Sequence, residues 1–516
     1  MTKWFNTAGP CQPEIHYMLS ATDRIPQLKH LIDQRNYFVI HAPRQIGKTT
    51  AMLALADELT KSGKYAAVML SVEVGAVFPH DPSAAEKAIL SEWKQSLRFR
   101  LPESLQPQTW AEADAGSRIG TALSDWAQNS TLPLVVFLDE IDALSDETLI
   151  SVLRQIRSGF PNRPQGFPQS VGLIGMRDVR DYKIAAGGSD RLNTSSPFNI
   201  KVQSFTMSNF TLEDVRNLYT QHTEATGQIF TEEAIDLAFH LTQGQPWLVN
   251  AIAKEITEYI TTDPTIQITP DLVNQAKEIL IKRQDTHLDS LAERLREDRV
   301  RAIIQPILSG LEIADTPEDD RRYLLDLGLV VRSQEGGLKI ANPIYQEVIP
   351  RVLSQGAQDS LPMIQPSWLN PDGNINPHIL LEAFLKFWRQ HGEPLFKSAN
   401  YPEIAPHLVM MAFLHRVVNG GGTLEREYAI GSGRMDICLR YRDLTLGMEL
   451  KVWRDGKKDP LHEGLEQLDK YLSGLSLDTG WLVIFDRRSG LPSISDRTTT
   501  EIATSPAGKN ITIIRG

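Results

Sequence analysis

The chain is poor in cysteine, has no long apolar run and carries no basic excess. Only Cys11 and Cys438 occur among 516 residues, far apart and at no metal or redox spacing. That excludes a disulfide scaffold and suits a reducing cytoplasm. Nowhere do eighteen apolar residues follow one another, so no membrane span is expected. The stretch MTKWFNTAGPCQPEIHYML lacks a basic segment followed by an apolar core, so no secretion signal is expected either, and the cytoplasm is the expected location. Lys and Arg number 53 against 64 Asp and Glu, a net charge of −11, which argues against polyanion binding by the whole surface. From Leu361 onward 18 basic residues balance 18 acidic ones, whereas the first 360 residues hold 35 against 46. A polyanionic partner therefore fits the C-terminal part better.

What is present is an ordinary globular composition, 41% hydrophobic and 23% charged, in a chain long enough for roughly three to five domains or subdomains. YFVIHAPRQIGKTTAMLALADEL reads as strand, loop and helix, and LPLVVFLDEID and SVGLIGMRD read as two more strands. Strands alternating with helices imply an α/β fold with a parallel sheet. Amphipathic helices follow from about residue 205, with Ser208 or Thr211 and then Thr231 as candidate caps. Residues 291–355 run from helical pattern into two short strands around SQEGG, which suggests a winged helix. The Pro-, Gly-, Ser- and Asn-rich stretch 356–377 is the best linker. The boundaries read as a core at 1–204, a helical lid at 205–290, the winged helix, the linker, and a last α/β domain at 378–516.

Ala42, Pro43, Arg44, Gln45, Ile46, Gly47, Lys48, Thr49 and Thr50 form a Walker A-type loop between strand and helix, with Ala42 in place of the first glycine. Such a loop curls backbone N–H groups around phosphates, with Lys48 for the β- and γ-phosphates and the Thr49 hydroxyl for Mg²⁺. About 90 residues on, VVFLDE supplies Asp139 to hold Mg²⁺ and Glu140 to polarise the attacking water. ATP with Mg²⁺ is the expected cofactor. Arg177 is a candidate γ-phosphate sensor, as are Arg180 and Arg191, with a solvated arginine as the alternative for each. Gly244 and Pro246 open an apolar helix, by pattern simply a helix start.

A second constellation lies downstream. In GMELKVW, Glu449 and Lys451 share one face of a strand that is otherwise apolar. Asp436 stands thirteen residues earlier, and an antiparallel hairpin around RYRDL brings Asp436 and Glu449 together. Two carboxylates and the Leu450 carbonyl make an oxygen-rich site suited to Mg²⁺ or Mn²⁺, with Lys451 beside the reacting phosphate. A surface cross-strand pair is the plain alternative. Gln467 and Tyr471 lie four apart on one helical face, and Arg434, Arg454, Lys457 and Lys458 are nearby cations for a phosphate track.

HAPRQIGKTT, VVFLDEID and LTQGQPWLVNAIA together resemble the bacterial AAA-like ATPases of the origin-recognition and STAND branch. That resemblance implies a lid and winged helix, a homo-oligomer, and Pro246 as a nucleotide contact. Asp436, then Glu449-Leu450-Lys451, then Gln467 and Tyr471 resemble the PD-(D/E)xK nuclease superfamily, with Met435 where proline stands in the named motif. That resemblance implies Asp436, Glu449 and the Leu450 carbonyl as metal ligands, Glu403 as a further metal-binding or supporting acid, and Gln467 and Tyr471 as supports of the site. The whole resembles AAA-like ATPases fused to such a domain: a nucleotide-controlled, metal-dependent nuclease acting on DNA, or on RNA, with an unknown trigger and a defence role by family habit. The other expectation is an ATP-dependent switch or DNA-binding protein with an inactive nuclease-like domain. Translocation along DNA fits less well, because no helicase-type motif series follows Glu140.

Overall fold

The computed structural model describes residues 3–176, 201–283, 293–309, 313, 316–333, 336–360, 366–397, 404–418, 422–427 and 436–516. The chain divides into two units, Met1–Arg283 with Arg322–Val330, and Gln284–Arg321 with Val331–Gly516.

In the first unit, β1 (Tyr37–His41), β2 (Ala66–Ser71), β3 (Leu134–Asp139), β4 (Ser170–Gly175) and β5 (Lys201–Thr206) form one sheet in the order β2-β3-β4-β1-β5. All its pairings are parallel. A parallel sheet covered on both faces needs strands that are apolar throughout. β1 to β4 meet that need, with one apolar cluster around Trp93 and Trp126 and another around Met52 and Phe205. The sequence reading found β1, β3 and β4 and did not name β2 or β5. Lys201–Thr206, at the sheet edge, has only Val202 and Phe205 as apolar residues and shows neither a continuous run nor strict alternation, so its strand signal is weak.

The helical part of this unit begins at Leu212–Thr226, capped by Thr211 in a capping box with Asp214, and continues with Glu232–Thr242, capped by Thr231. Pro246–Lys254 follows and passes into a π-helical turn at Glu255–Ile260. Gly244 precedes it at φ +70°, where an added Cβ would lie 1.9 Å from the Phe210 carbonyl oxygen. Only glycine fits there.

Along the chain between the sheets come the helices Asp298–Ser309, Glu318–Asp326 and Pro343–Ser360 and the short strands β6 (Val330–Arg332) and β7 (Leu338–Ile340). The second unit is built on a six-stranded mixed sheet of β8 (Gly422–Glu427), β9 (Asp436–Tyr441), β10 (Leu444–Trp453), β11 (Thr479–Asp486), β12 (Thr499–Thr504) and β13 (Asn510–Arg515), in the order β12-β13-β11-β10-β9-β8. β8, β9 and β10 are antiparallel neighbours, whereas β10, β11 and β13 run parallel. Parallel neighbours need a crossover, and the helix Leu461–Gly474 provides it between β10 and β11.

Strand alternation sorts β10 between two cores. Met448, Leu450 and Val452 pack with the helices Pro377–Lys397 and Ala405–Val418. Gly447, Glu449, Lys451 and Trp453 take the opposite face, toward Leu461–Gly474. Among the described residues no helix is long and apolar enough to cross a membrane.

Candidate functional sites

The loop after β1 has positive φ at Gln45 (60°) and Gly47 (96°), and the helix Lys48–Lys61 starts directly behind it. Ala42 does not need the left-handed region, so alanine is tolerated where the motif carries glycine. Lys48 Nζ donates to the Ala42 and Pro43 carbonyls at 2.8 and 2.9 Å, bridging the two arms of the loop. The Thr49 hydroxyl donates to Asp139 Oδ2 at 2.9 Å, and the Glu140 N–H donates to Asp139 Oδ1 at 3.0 Å. Thr49 and Asp139 thus present oxygens side by side at the end of β3, a donor set suited to Mg²⁺. Ile46 is buried and Arg44 exposed, while the Thr50 hydroxyl accepts the Cys11 N–H at 3.1 Å.

Burial pushes the Lys48 ammonium below its ordinary value, opposed by Asp142, Glu140 and Asp139. Burial likewise pushes the Asp139 and Glu140 carboxyls up, and hydrogen bonds from Thr49 and Glu140 pull Asp139 partly back. Glu140 sits at φ 57°, in the left-handed region, a strained setting for glutamate. Pro246 occupies the first turn of its helix, and its carbonyl accepts the Asn250 amide at 2.8 Å. Arg177, Arg180 and Arg191 lie outside the described residues.

Two residues that the sequence reading missed belong here. Asp142 is the leading electrostatic partner of Lys48 and lies against Gly175. Arg24 donates to the Ile46 carbonyl at 2.8 Å and to that of Ser208, and stacks over Phe210 at 4.9 Å. Its burial lowers its pKa to about 10, against the opposing pull of Asp214. Asp142 was visible as one more acid in VVFLDEID, but an isolated arginine in ATDRIPQL carries no signal.

In the second unit, Asp436 of β9 pairs in register with Glu449 of β10, and Glu427 of β8 with Asp436. The Glu449 side chain is fully buried, with Lys451 Nζ at 2.9 Å from its Oε1. Lys451 Nζ also donates to Gln467 Oε1 and lies 3.4 Å from Glu463 Oε1. The Gln467 amide in turn donates to Glu463 Oε1 at 2.7 Å. Glu463, one turn ahead of Gln467, was not singled out from the sequence. The buried Tyr471 ring lies against Gly447, where a Cβ would meet it at 3.3 Å. Leu450 packs into the opposite core and pairs with Val483 of β11.

Glu403, Arg434 and Met435 lie outside the described residues, and Asp436 is described by its backbone alone. Among the described residues, no group of three or more His, Cys, Asp or Glu is arranged to hold a metal ion. Beyond Lys451 on the same face, Arg488 stacks over Trp453 at 3.4 Å, and Asp486 pairs with Arg488 at 2.6 Å.

No family model matches the chain, and no curated protein matches it. Among solved structures it is similar to the Walker-type ATPase PABY2304 of Pyrococcus abyssi, at 13% identity and TM-score 0.47, over 67% of this chain and 99% of that one. It is also similar to the Thermotoga maritima RuvB Holliday junction branch migration motor, at 16% identity and TM-score 0.35, over 64% and 93%. For Cdc6p from Pyrobaculum aerophilum the figures are 15%, 0.36, 68% and 97%.

Proposed function

We propose that the chain is a nucleotide-controlled, metal-dependent nuclease acting on DNA, in which ATP binding or hydrolysis in the first unit licenses phosphodiester cleavage in the second. The observation that carries the cleavage reading is the in-register pair Asp436 and Glu449, with Lys451 held between Glu449, Glu463 and Gln467 on the same sheet face. Asp436, Glu449 and the Leu450 carbonyl are the residues that would hold Mg²⁺ or Mn²⁺. When bound, that ion polarises the scissile phosphate. Lys451 presents its ammonium to the attacked phosphate, where negative charge builds as water adds and the P–O bond breaks. Gln467 positions Lys451, and a buried strand keeps the group rigid.

In the first unit Gly47, Lys48 and the loop N–H groups would cradle the ATP phosphates, Thr49 and Asp139 would hold Mg²⁺, and Glu140 would orient the hydrolytic water. The Thr49–Asp139 hydrogen bond supports this reading. A homo-oligomer and a role in defence against phage or mobile elements belong to the same proposal.

A second reading, a nucleotide switch with an inactive nuclease-like domain, draws on the same contacts: Lys451 is neutralised by Glu449 and Glu463 together. The deciding assay is cleavage of linear and circular DNA with Mg²⁺ or Mn²⁺, with and without ATP, by wild type, Lys451→Ala and Glu140→Gln. Cleavage that is lost in Lys451→Ala and altered by ATP or by Glu140→Gln supports the gated nuclease. Absence of cleavage in all arms supports the switch.

A further inference from the structure

The phosphate loop has a neighbour from far along the chain. The helix Glu318–Asp326 ends in a Schellman turn, in which the Leu329 N–H donates to the Leu324 carbonyl at 3.1 Å and the Gly328 N–H to the Leu325 carbonyl at 3.0 Å. Gly328 takes the left-handed conformation that such a turn needs, at φ +69°. The turn by itself asks for nothing more: Gly227 ends the helix Leu212–Thr226 at φ +81° with nothing within 4 Å of an added Cβ. At Gly328, in contrast, an added Cβ would lie 2.7 and 2.9 Å from Cγ and Cβ of Pro43 in the phosphate loop. Both residues belong to the first unit, which includes the segment Arg322–Val330. Tyr323, Leu324, Leu329 and Val330 are buried around the turn, so an anchored segment makes the contact.

Pro43 is a sensitive place for such a contact. Its ring fixes φ, so a push on the ring carries to its carbonyl. That carbonyl accepts Lys48 Nζ at 2.9 Å, and the Ala42 carbonyl accepts the same ammonium at 2.8 Å. Gly328, the Pro43 ring, the Pro43 carbonyl and the Lys48 ammonium therefore form one short series of contacts. The segment has a second property. The division between the units falls inside β6, with Val330 in the first and Val331 in the second. The turn that touches the loop thus stands where the chain passes for the last time into the second unit.

We propose that Gly328 is a positioning residue for the phosphate loop. The helix end braces Pro43, Pro43 sets the Lys48 ammonium, and nucleotide binding in turn tightens the helix end at the entrance to the second unit. The brace needs only the close approach, which no residue with a side chain permits. The reverse effect follows by linkage: a contact that strengthens nucleotide binding is itself strengthened when nucleotide binds. This coupling rests on the reading of the loop as a nucleotide site, whereas the brace does not.

The test measures binding of ATPγS with Mg²⁺ to the full chain. Gly328→Asn keeps the left-handed conformation accessible, since asparagine tolerates it, yet sets a Cβ against the Pro43 ring. Gly337→Asn is the control, at φ +79° with nothing within 4 Å of an added Cβ. Gly328→Asn should weaken ATPγS binding about tenfold, the worth of one charge-assisted hydrogen bond, and Gly337→Asn by about twofold at most. In a Pro43→Gly background, where no ring is met, the effect of Gly328→Asn should shrink to about threefold or less. Unchanged affinity in Gly328→Asn, an equal loss in Gly337→Asn, or the same loss with and without the Pro43 ring overturns the brace. Hydrogen exchange separates that failure from failure of the nucleotide reading. Without nucleotide, Gly328→Asn should speed exchange of the Ala42 and Ala51 amides, which donate to the Gly175 and Gly47 carbonyls, about fivefold or more. No change there overturns the brace, whatever the wild type binds. In the wild type, ATPγS should slow exchange of the Gly328 and Leu329 amides about fivefold. Binding of ATPγS with unchanged exchange overturns the coupling and leaves the brace standing, whereas a wild type that binds no ATPγS refutes the nucleotide reading and the coupling with it.

Discussion

Lys451→Met tests the most consequential pair in the second unit. Glu449 is fully buried and Lys451 is only 12% exposed, with 2.9 Å between ammonium and carboxylate. Removing one member of such a pair leaves a charge without its counter-ion in a low-dielectric setting, which costs about 3–5 kcal/mol. For a domain of this size each kcal/mol lowers Tm by about 2–4 °C, so even the low end shifts the transition of the second unit by about 6–12 °C. Glu449→Gln combined with Lys451→Met removes both charges at once, and the double variant should recover about 2 kcal/mol of the single variant's loss. Differential scanning calorimetry of the four proteins of this cycle measures the coupling directly. If Lys451→Met melts with the wild type, or the double variant is no better than the single one, Glu449 is not a buried charge held by Lys451. The proposed placement of the catalytic ammonium would then lose its structural basis.

Two further outcomes follow from the first unit. Gly244→Ala should destabilise it by about 3 kcal/mol or more, because a Cβ at φ +70° would overlap the Phe210 carbonyl, and urea denaturation with an unmoved midpoint would contradict that. His222 is held neutral, its pKa lowered by burial against an opposing hydrogen bond to Gln228. The unfolded chain therefore binds the extra proton first: stability is fully present above the unfolded value of 6.5 and falls as pH drops below it toward the folded value. His222→Asn should flatten that part of the stability–pH curve, and an unchanged slope between pH 7 and 5 would rule His222 out as its source.

What the sequence determined by itself was the local chemistry. A glycine-bearing loop between an apolar run and a helical period, and two acids closing another apolar run, are contiguous patterns, so Gly47, Lys48, Thr49, Asp139 and Glu140 were legible. Glu449 and Lys451 were legible as a pair because strand periodicity alone puts positions two apart on one face.

Tertiary structure alone decided which distant residues meet. The 2.9 Å bond from Thr49 to Asp139 depends on sheet order, as β3, which ends in Asp139, and β1, which leads into the helix of Thr49, are separated by β4. The Asp436–Glu449 pairing was already expected from the hairpin pattern, whereas Glu463 reaches Lys451 only because the crossover helix lies over that face. Arg24 joins the carbonyl of Ile46 in the phosphate loop to that of Ser208, 184 residues beyond Arg24 along the chain. Periodicity is a property of neighbours along the chain, while these contacts are set by packing, whose free energy is shared among many side chains and written into no single stretch.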